Sequence, residues 1–135
     1  MNRILTTLLA IITVIFGSSQ KASAQEQDTL AFRTVSVEEF EKIIADDNVI
    51  RLDVRSEEEY EKGHIEGTIN IDVLKPTFKK TAIEKLDKKK VIALYCRSGK
   101  RSKTAAGMLA KSGFTVIELD GGFNAWMENK KPVAK

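Results

Sequence analysis

Short apolar, β-rich runs and amphipathic helical stretches take turns along this chain, and that alternation restricts its fold more than any other feature. Phe32 to Val35, Val49 to Val54, Thr68 to Ile71, Val91 to Tyr95 and Thr115 to Leu119 read as strands. A helical pattern separates each from the next. Strand–helix–strand order returns the chain to the same end of a sheet before every new strand, which makes neighbouring strands parallel. The expected architecture is an α/β domain with a mainly parallel sheet, and ligands on such sheets gather beyond the carboxyl ends of the strands.

Local signals place the helices. Ser36-Val37-Glu38-Glu39 and Ser56-Glu57-Glu58-Glu59 have the spacing of capping boxes. Val37, Phe40, Ile43 and Ile44 share one face of the first helix, and Gly63 closes the second. Pro76 fits the first turn of a third helix, with Phe78, Ile83 and Leu86 inward. A fourth runs from about Ser102 to Ser112 and stops at Gly113; Gly121-Gly122 makes a turn, and Phe123 to Asn129 forms the last helix. Lys88-Lys89-Lys90 reads as a solvated turn. There is no internal repeat and no low-complexity linker.

The 135 residues allow one domain. Residues 1–24 have the layout of a cleavable secretory signal: Arg3, an apolar stretch from Ile4 to Phe16, and the small-x-small motif Ala22-Ser23-Ala24. That stretch falls short of the roughly 20 apolar residues of a spanning helix, so no stable membrane anchor is expected after processing. Residues 25–31 read as a flexible leader and 32–132 as the folded domain. Losing Arg3 and Lys21 leaves 20 basic against 19 acidic side chains, so the net charge drops from +3 to +1. A global basic field for nucleic acid is thereby excluded, and useful positive potential must be local. The expected location is periplasmic or secreted.

Cys96 is the only cysteine. An exported chain with one thiol can form neither an internal disulfide nor a dithiol redox pair. Cys96 follows an apolar strand and precedes a helix, with Arg97, Ser98, Gly99, Lys100, Arg101 and Ser102 between. If that backbone curls round the sulfur, its N–H groups form an anion nest backed by a helix N-terminus, and both favour a thiolate. Gly99 permits the tight curvature. Arg97, Lys100 and Arg101 would draw in an anionic substrate. The plainer alternative is a buried cysteine at a strand end with charged neighbours facing water.

Cys96-Arg97-Ser98-Gly99-Lys100-Arg101-Ser102 resembles the active-site loop of the rhodanese (thiosulfate sulfurtransferase) family. Leu52-Asp53-Val54-Arg55 with Glu59-Tyr60, Gly63-His64-Ile65-Glu66-Gly67-Thr68-Ile69-Asn70, and Gly121-Gly122-Phe123-Asn124-Ala125-Trp126 resemble three further motifs of that family in the expected order. The likeness runs from about Thr34 to Pro132 and is to single-domain members. It implies a three-layer domain whose central sheet is flanked by helices. It also implies a ping-pong transfer: the Cys96 thiolate takes the outer sulfur of a donor such as thiosulfate, then passes it from a persulfide to cyanide, a small thiol or a protein thiol. The chemistry calls for no metal and no organic cofactor.

The remaining candidates have competing readings. His64 invites a general-base role, but an amide-stabilised thiolate needs no base, and a structural hydrogen bond is favoured. Asp53 and Arg55 stand at a strand's carboxyl end, where they border the pocket or form a polar network anchoring the next helix. Phe123 and Trp126 read as core, and Glu57 to Glu59 with Glu61 as a helix N-terminus and solvent face. Two rival functions are a persulfide carrier or binding module serving a partner protein, and a cysteine phosphatase or arsenate reductase. The related phosphatases carry a loop one residue longer than the Cys96–Arg101 spacing, which favours sulfur. The loop also differs from the Gly-Ser-Gly type of the mercaptopyruvate branch, which leaves thiosulfate or a protein persulfide as donor.

Overall fold

The computed structural model describes residues 32–135, so the expected signal and leader lie outside the described residues. Five strands, β1 (Phe32–Val35), β2 (Ile50–Asp53), β3 (Ile69–Asn70), β4 (Val91–Tyr95) and β5 (Thr115–Leu119), form one sheet in the order β1-β5-β4-β2-β3. Every pairing is parallel. Five helices connect and cover them: α1 (Val37–Ile44), α2 (Glu57–Lys62), α3 (Phe78–Lys85), α4 (Lys100–Lys111) and α5 (Gly122–Glu128).

Successive strand residues face opposite sides of a sheet, so the apolar runs of the central strands feed two cores at once. On one face Leu52, Ile92, Leu94 and Val116 pack under α3 and α4 through Phe78, Ala82, Ala105 and Leu109. On the other, Ala93, Tyr95, Ile117 and Leu119 meet α1 and α5 through Phe40, Phe123 and Trp126. Phe40 stands edge-on to both Tyr95 and Trp126, at centroid distances of 6.4 and 6.3 Å. The result is the expected three-layer α/β/α arrangement. Phe123 and Trp126 are buried core residues, and Lys88 to Lys90 is an exposed turn.

Ser56 makes the complete reciprocal cap with Glu59, whereas Ser36 only accepts from the Glu39 amide. Three expectations need correction: Pro76 lies in the turn before α3, whose cap is Thr77, and not in the first turn of that helix. Ile83 is 41% exposed, and Ala82 takes the inward place, because residues four apart (Phe78, Ala82, Leu86) define the buried stripe. The fourth helix begins at Lys100 rather than near Ser102: its cap is the left-handed backbone of Gly99, with no side-chain hydrogen bond. Beyond Pro132 the backbone of Ala134 bridges that of His64 in both directions, and the Trp126 indole N–H donates to the Pro132 carbonyl at 2.8 Å.

Candidate active site

β4 delivers Cys96 directly past the carboxyl edge of the sheet, fully buried and continuing the side-chain alternation toward the α4 side. The chain then has three residues in which to turn into α4. Gly99 accomplishes this at φ +103°, a conformation that costs L side chains free energy. Its amide donates to Cys96 Sγ at 3.1 Å. Burial alone would push the thiol up. Hydrogen bonding from the Ser102 hydroxyl and from the amides of Ser102, Gly99 and Ser98 outweighs it, and the thiol lies below its ordinary value. Ser98, Gly99 and Ser102 are thus brought together around the sulfur.

A second set of amides holds the loop from behind. The first turn of α5 donates its unpaired N–H groups to the loop carbonyls: Phe123 to Cys96 at 2.7 Å and Asn124 to Arg97 at 3.0 Å. This contact requires Gly122. A Cβ there, at φ +59°, would lie 2.5 Å from the Cys96 carbonyl oxygen. The Gly-Gly pair therefore fixes the reactive loop as well as making a turn.

The cations divide into two kinds. Arg97 and Lys100 are exposed and form no salt bridge among the described residues. Arg101, expected to join them, instead donates both terminal nitrogens to Glu59, at 2.7 and 2.9 Å. The Glu59 carboxyl falls to about 2, chiefly through that hydrogen bond from Arg101, with burial opposing and Ser56 assisting. The pair straps α2 to the start of α4, so Arg101 is a positioned group with its charge already balanced.

Asp53 and Arg55 form a buried pair, with Arg55 Nη2 2.7 Å from Asp53 Oδ2 and donating also to the Gly63 carbonyl at 2.7 Å. The guanidinium lies 4.3 Å from the Phe123 ring centroid. Burial disfavours its charge and Asp53 more than compensates, so its acidity weakens further. Arg55 anchors the turn at Gly63, and with Arg97, Phe123, Asn124 and Met127 it lines a cavity of about 390 Å³ beside the loop. Asp53 reaches that cavity only through Arg55. His64 is spent structurally, its Nδ1 2.8 Å from the Tyr60 carbonyl and its ring stacked on Tyr60 at 3.8 Å. Among the described residues no cluster of His, Cys, Asp or Glu has the arrangement of a metal site.

Sequence reasoning overlooked Glu118. Its side chain is fully buried beneath α4 and accepts from Thr34, Ser102 and Lys103. The available signal was a carboxylate in register with Val116, on a face that is otherwise apolar.

Residues 36–129 match the family described as the rhodanese-like domain. YtwF of Bacillus subtilis, a candidate sulfurtransferase, is 37% identical over 92 residues, spanning 68% of this chain and 86% of that protein. The thiosulfate sulfurtransferase PspE of Escherichia coli is 37% identical over 71 residues, 53% of this chain and 67% of that protein. The crystal structure of the BH2092 protein from Bacillus halodurans aligns with a TM-score of 0.68 at 28% identity, covering 86% of this chain and 85% of that one.

Proposed function

The chain belongs to the rhodanese-like domain family, and from that premise we propose that it moves a sulfane sulfur from thiosulfate to a thiol or cyanide through a persulfide on Cys96. The observation that carries this reading is a single cysteine, Cys96, whose buried sulfur accepts from the Gly99 amide at the cap of α4, with hydrogen bonding from Ser102, Gly99 and Ser98 holding the thiol below its ordinary value against the pull of burial. Such a nest stabilises negative sulfur at every stage of the reaction. The likeness to the thiosulfate sulfurtransferase PspE supports the choice of donor.

In the first half-reaction the Cys96 thiolate attacks the outer sulfur of thiosulfate. A new S–S bond forms, the donor's S–S bond breaks, and its electron pair leaves with sulfite. Charge balances, because one thiolate and a dianion become one persulfide anion and a dianion. In the second, a thiolate or cyanide attacks the outer persulfide sulfur, and the Cys96–sulfur bond returns its pair to Cys96. Splitting the transfer lets donor and acceptor use one site in turn. A protein thiol fits the same second step. Since Cys96 has no exposed area, rim side chains must shift to admit a donor, and Arg97 and Lys100, exposed and without a salt bridge among the described residues, are cations able to meet it.

Export is part of the proposal, supported by Arg3, the apolar stretch to Phe16 and Ala22-Ser23-Ala24. The activity test measures sulfite release from thiosulfate against acceptor concentration. Parallel double-reciprocal lines are expected. Neutralising Arg97 and Lys100 together should lower kcat/KM for thiosulfate several-fold at low salt, with the difference shrinking as salt screens exposed charge. Intersecting lines, or a double variant indistinguishable from wild type at low salt, would refute the persulfide route and the cationic mouth respectively.

A further inference from the structure

Glu118 is a buried carboxylate that neither the fold nor the transfer steps above require. It occupies the place in β5 where the alternation set by Val116 calls for another apolar side chain, and it has no exposed area. Burying a charge is unfavourable unless it is fully partnered, and here the partners converge on the sulfur site. Thr34, its cross-strand neighbour on β1, donates to Oε1 at 2.7 Å. Lys103 reaches both carboxylate oxygens, at 3.3 and 3.4 Å, and also the Gly99 carbonyl at 3.3 Å. The Ser102 hydroxyl donates to Oε2.

Ser102 lies in the first turn of α4, whose cap residue Gly99 donates its amide to Cys96 Sγ, and from there its hydroxyl also favours charge on the sulfur. A hydroxyl has one proton, so it cannot donate to the carboxylate and to the sulfur together. We propose that Glu118 is a positioning residue that competes with Cys96 for the Ser102 proton and thereby sets how readily Sγ carries charge. When charge sits on Sγ, as in the free thiolate, the sulfur is a strong acceptor and the contest is close. When a second sulfur is attached, the charge moves outward onto that atom, Sγ becomes a poor acceptor, and the hydroxyl goes to Glu118. The carboxylate therefore weighs against the unloaded thiolate and not against the loaded persulfide. No proton enters or leaves the site in this exchange; one hydroxyl hydrogen changes partner. The persulfide half of the argument rests on the sulfurtransferase reading, whereas the competition for the hydroxyl does not.

The charged groups facing the two acceptors are few. Lys103 on α4 faces Glu118, with the neutral Thr34 on β1 opposite. Arg101 faces Cys96, and its own charge is taken by Glu59 on α2.

The test is the pH dependence of Cys96 alkylation by iodoacetamide, which needs no sulfur donor, so its failure is distinguishable from failure of the sulfurtransferase reading. Glu118→Gln keeps the side-chain shape but offers a weaker acceptor. Its alkylation midpoint should fall by roughly half a unit to one unit, a three- to tenfold gain in thiolate fraction below the midpoint. Removing the carboxylate's charge would lower the midpoint even without Ser102, so the decisive comparison is a double-mutant cycle. In a Ser102→Ala background, Glu118→Gln should shift the midpoint by less than half as much. Thr34→Val removes the other hydroxyl donor and should move the midpoint the opposite way, upward, even if Glu118→Gln folds poorly. The proposal is overturned by equal shifts in the two backgrounds, by an unchanged or raised midpoint in Glu118→Gln, or by no upward shift in Thr34→Val.

Discussion

Replacing Gly122 by alanine adds one methyl group at the point where α5 meets the reactive loop. Its backbone φ of +59° costs an L side chain about 1–2 kcal/mol. The new Cβ would stand 2.5 Å from the Cys96 carbonyl oxygen and 2.8 Å from the carbonyl carbon and oxygen of Arg97. These are backbone atoms and cannot swing aside. Either the crowding persists, at about 1–3 kcal/mol, or α5 withdraws. Withdrawal gives up the bonds from Phe123 to Cys96 and from Asn124 to Arg97, at about 1 kcal/mol each. Together with the backbone strain, either route leads to a loss of about 2–5 kcal/mol, a large share of the roughly 5–15 kcal/mol that stabilises a typical domain. The thiol should also lose its settled surroundings, because Cys96 and Arg97 are the residues being pulled. Urea denaturation reads the first effect and native-state alkylation of Cys96 the second. Gly107→Ala is the matched control: it lies inside α4, nothing stands within 4 Å of where its Cβ would lie, and it should be neutral or up to about 1 kcal/mol stabilising. A Gly122→Ala protein within about 0.5 kcal/mol of wild type, with unaltered alkylation, would refute the clamp.

Two further perturbations bear on the frame around the site. Asp53→Ala leaves the Arg55 guanidinium buried without its counter-charge and should cost about 3–5 kcal/mol in urea denaturation; adding Arg55→Met should recover part of that loss, and a double variant as unstable as the single would contradict the explanation. The Glu59 carboxyl, depressed to about 2 by Arg101, contributes stability that is fully present above its unfolded value near 4.5 and is lost as pH falls toward 2. Because the pair is partly exposed, the contribution is about 1–2 kcal/mol. Glu59→Gln should therefore flatten the acid limb of stability against pH between those values, and an unchanged limb would show that the strap to α4 does not stabilise the fold.

How much was legible in the sequence follows from the range of the forces involved. β4 and β5 could be bounded to the residue because each is a β-rich run, wholly apolar in β4 up to Tyr95 and broken in β5 only by Glu118 after its opening Thr115, with turn residues on both sides. The cap of α2 was legible because Ser56 and Glu59 satisfy each other within one turn. The start of α4 was not, since its cap is a backbone conformation of Gly99 without a side-chain signature. Ile83 was misplaced because apolar character marked it as inward, whereas the register of Phe78 and Leu86 assigns that place to the smaller Ala82. At the site, the strand–loop–helix order was enough to single out Cys96 and its surrounding amides. It could not reveal that Arg101 is claimed by Glu59, 42 positions away, nor that Phe123 and Asn124 hold the loop. Those contacts exist only once parallel pairing has brought several strand ends to the same edge. Glu118 shows the same limit: its partners come from β1 and α4.

The central claim is that Cys96 accepts and holds a sulfur atom, and intact-mass spectrometry after thiosulfate treatment tests it most directly. Reduced wild-type protein should gain the mass of one sulfur and release sulfite in equal amount. Cys96→Ser should gain nothing, and cyanide should return the loaded wild-type protein to its starting mass with formation of thiocyanate. A wild-type protein that stays unmodified under these conditions, or a Cys96→Ser variant that takes up the same mass, would contradict the account.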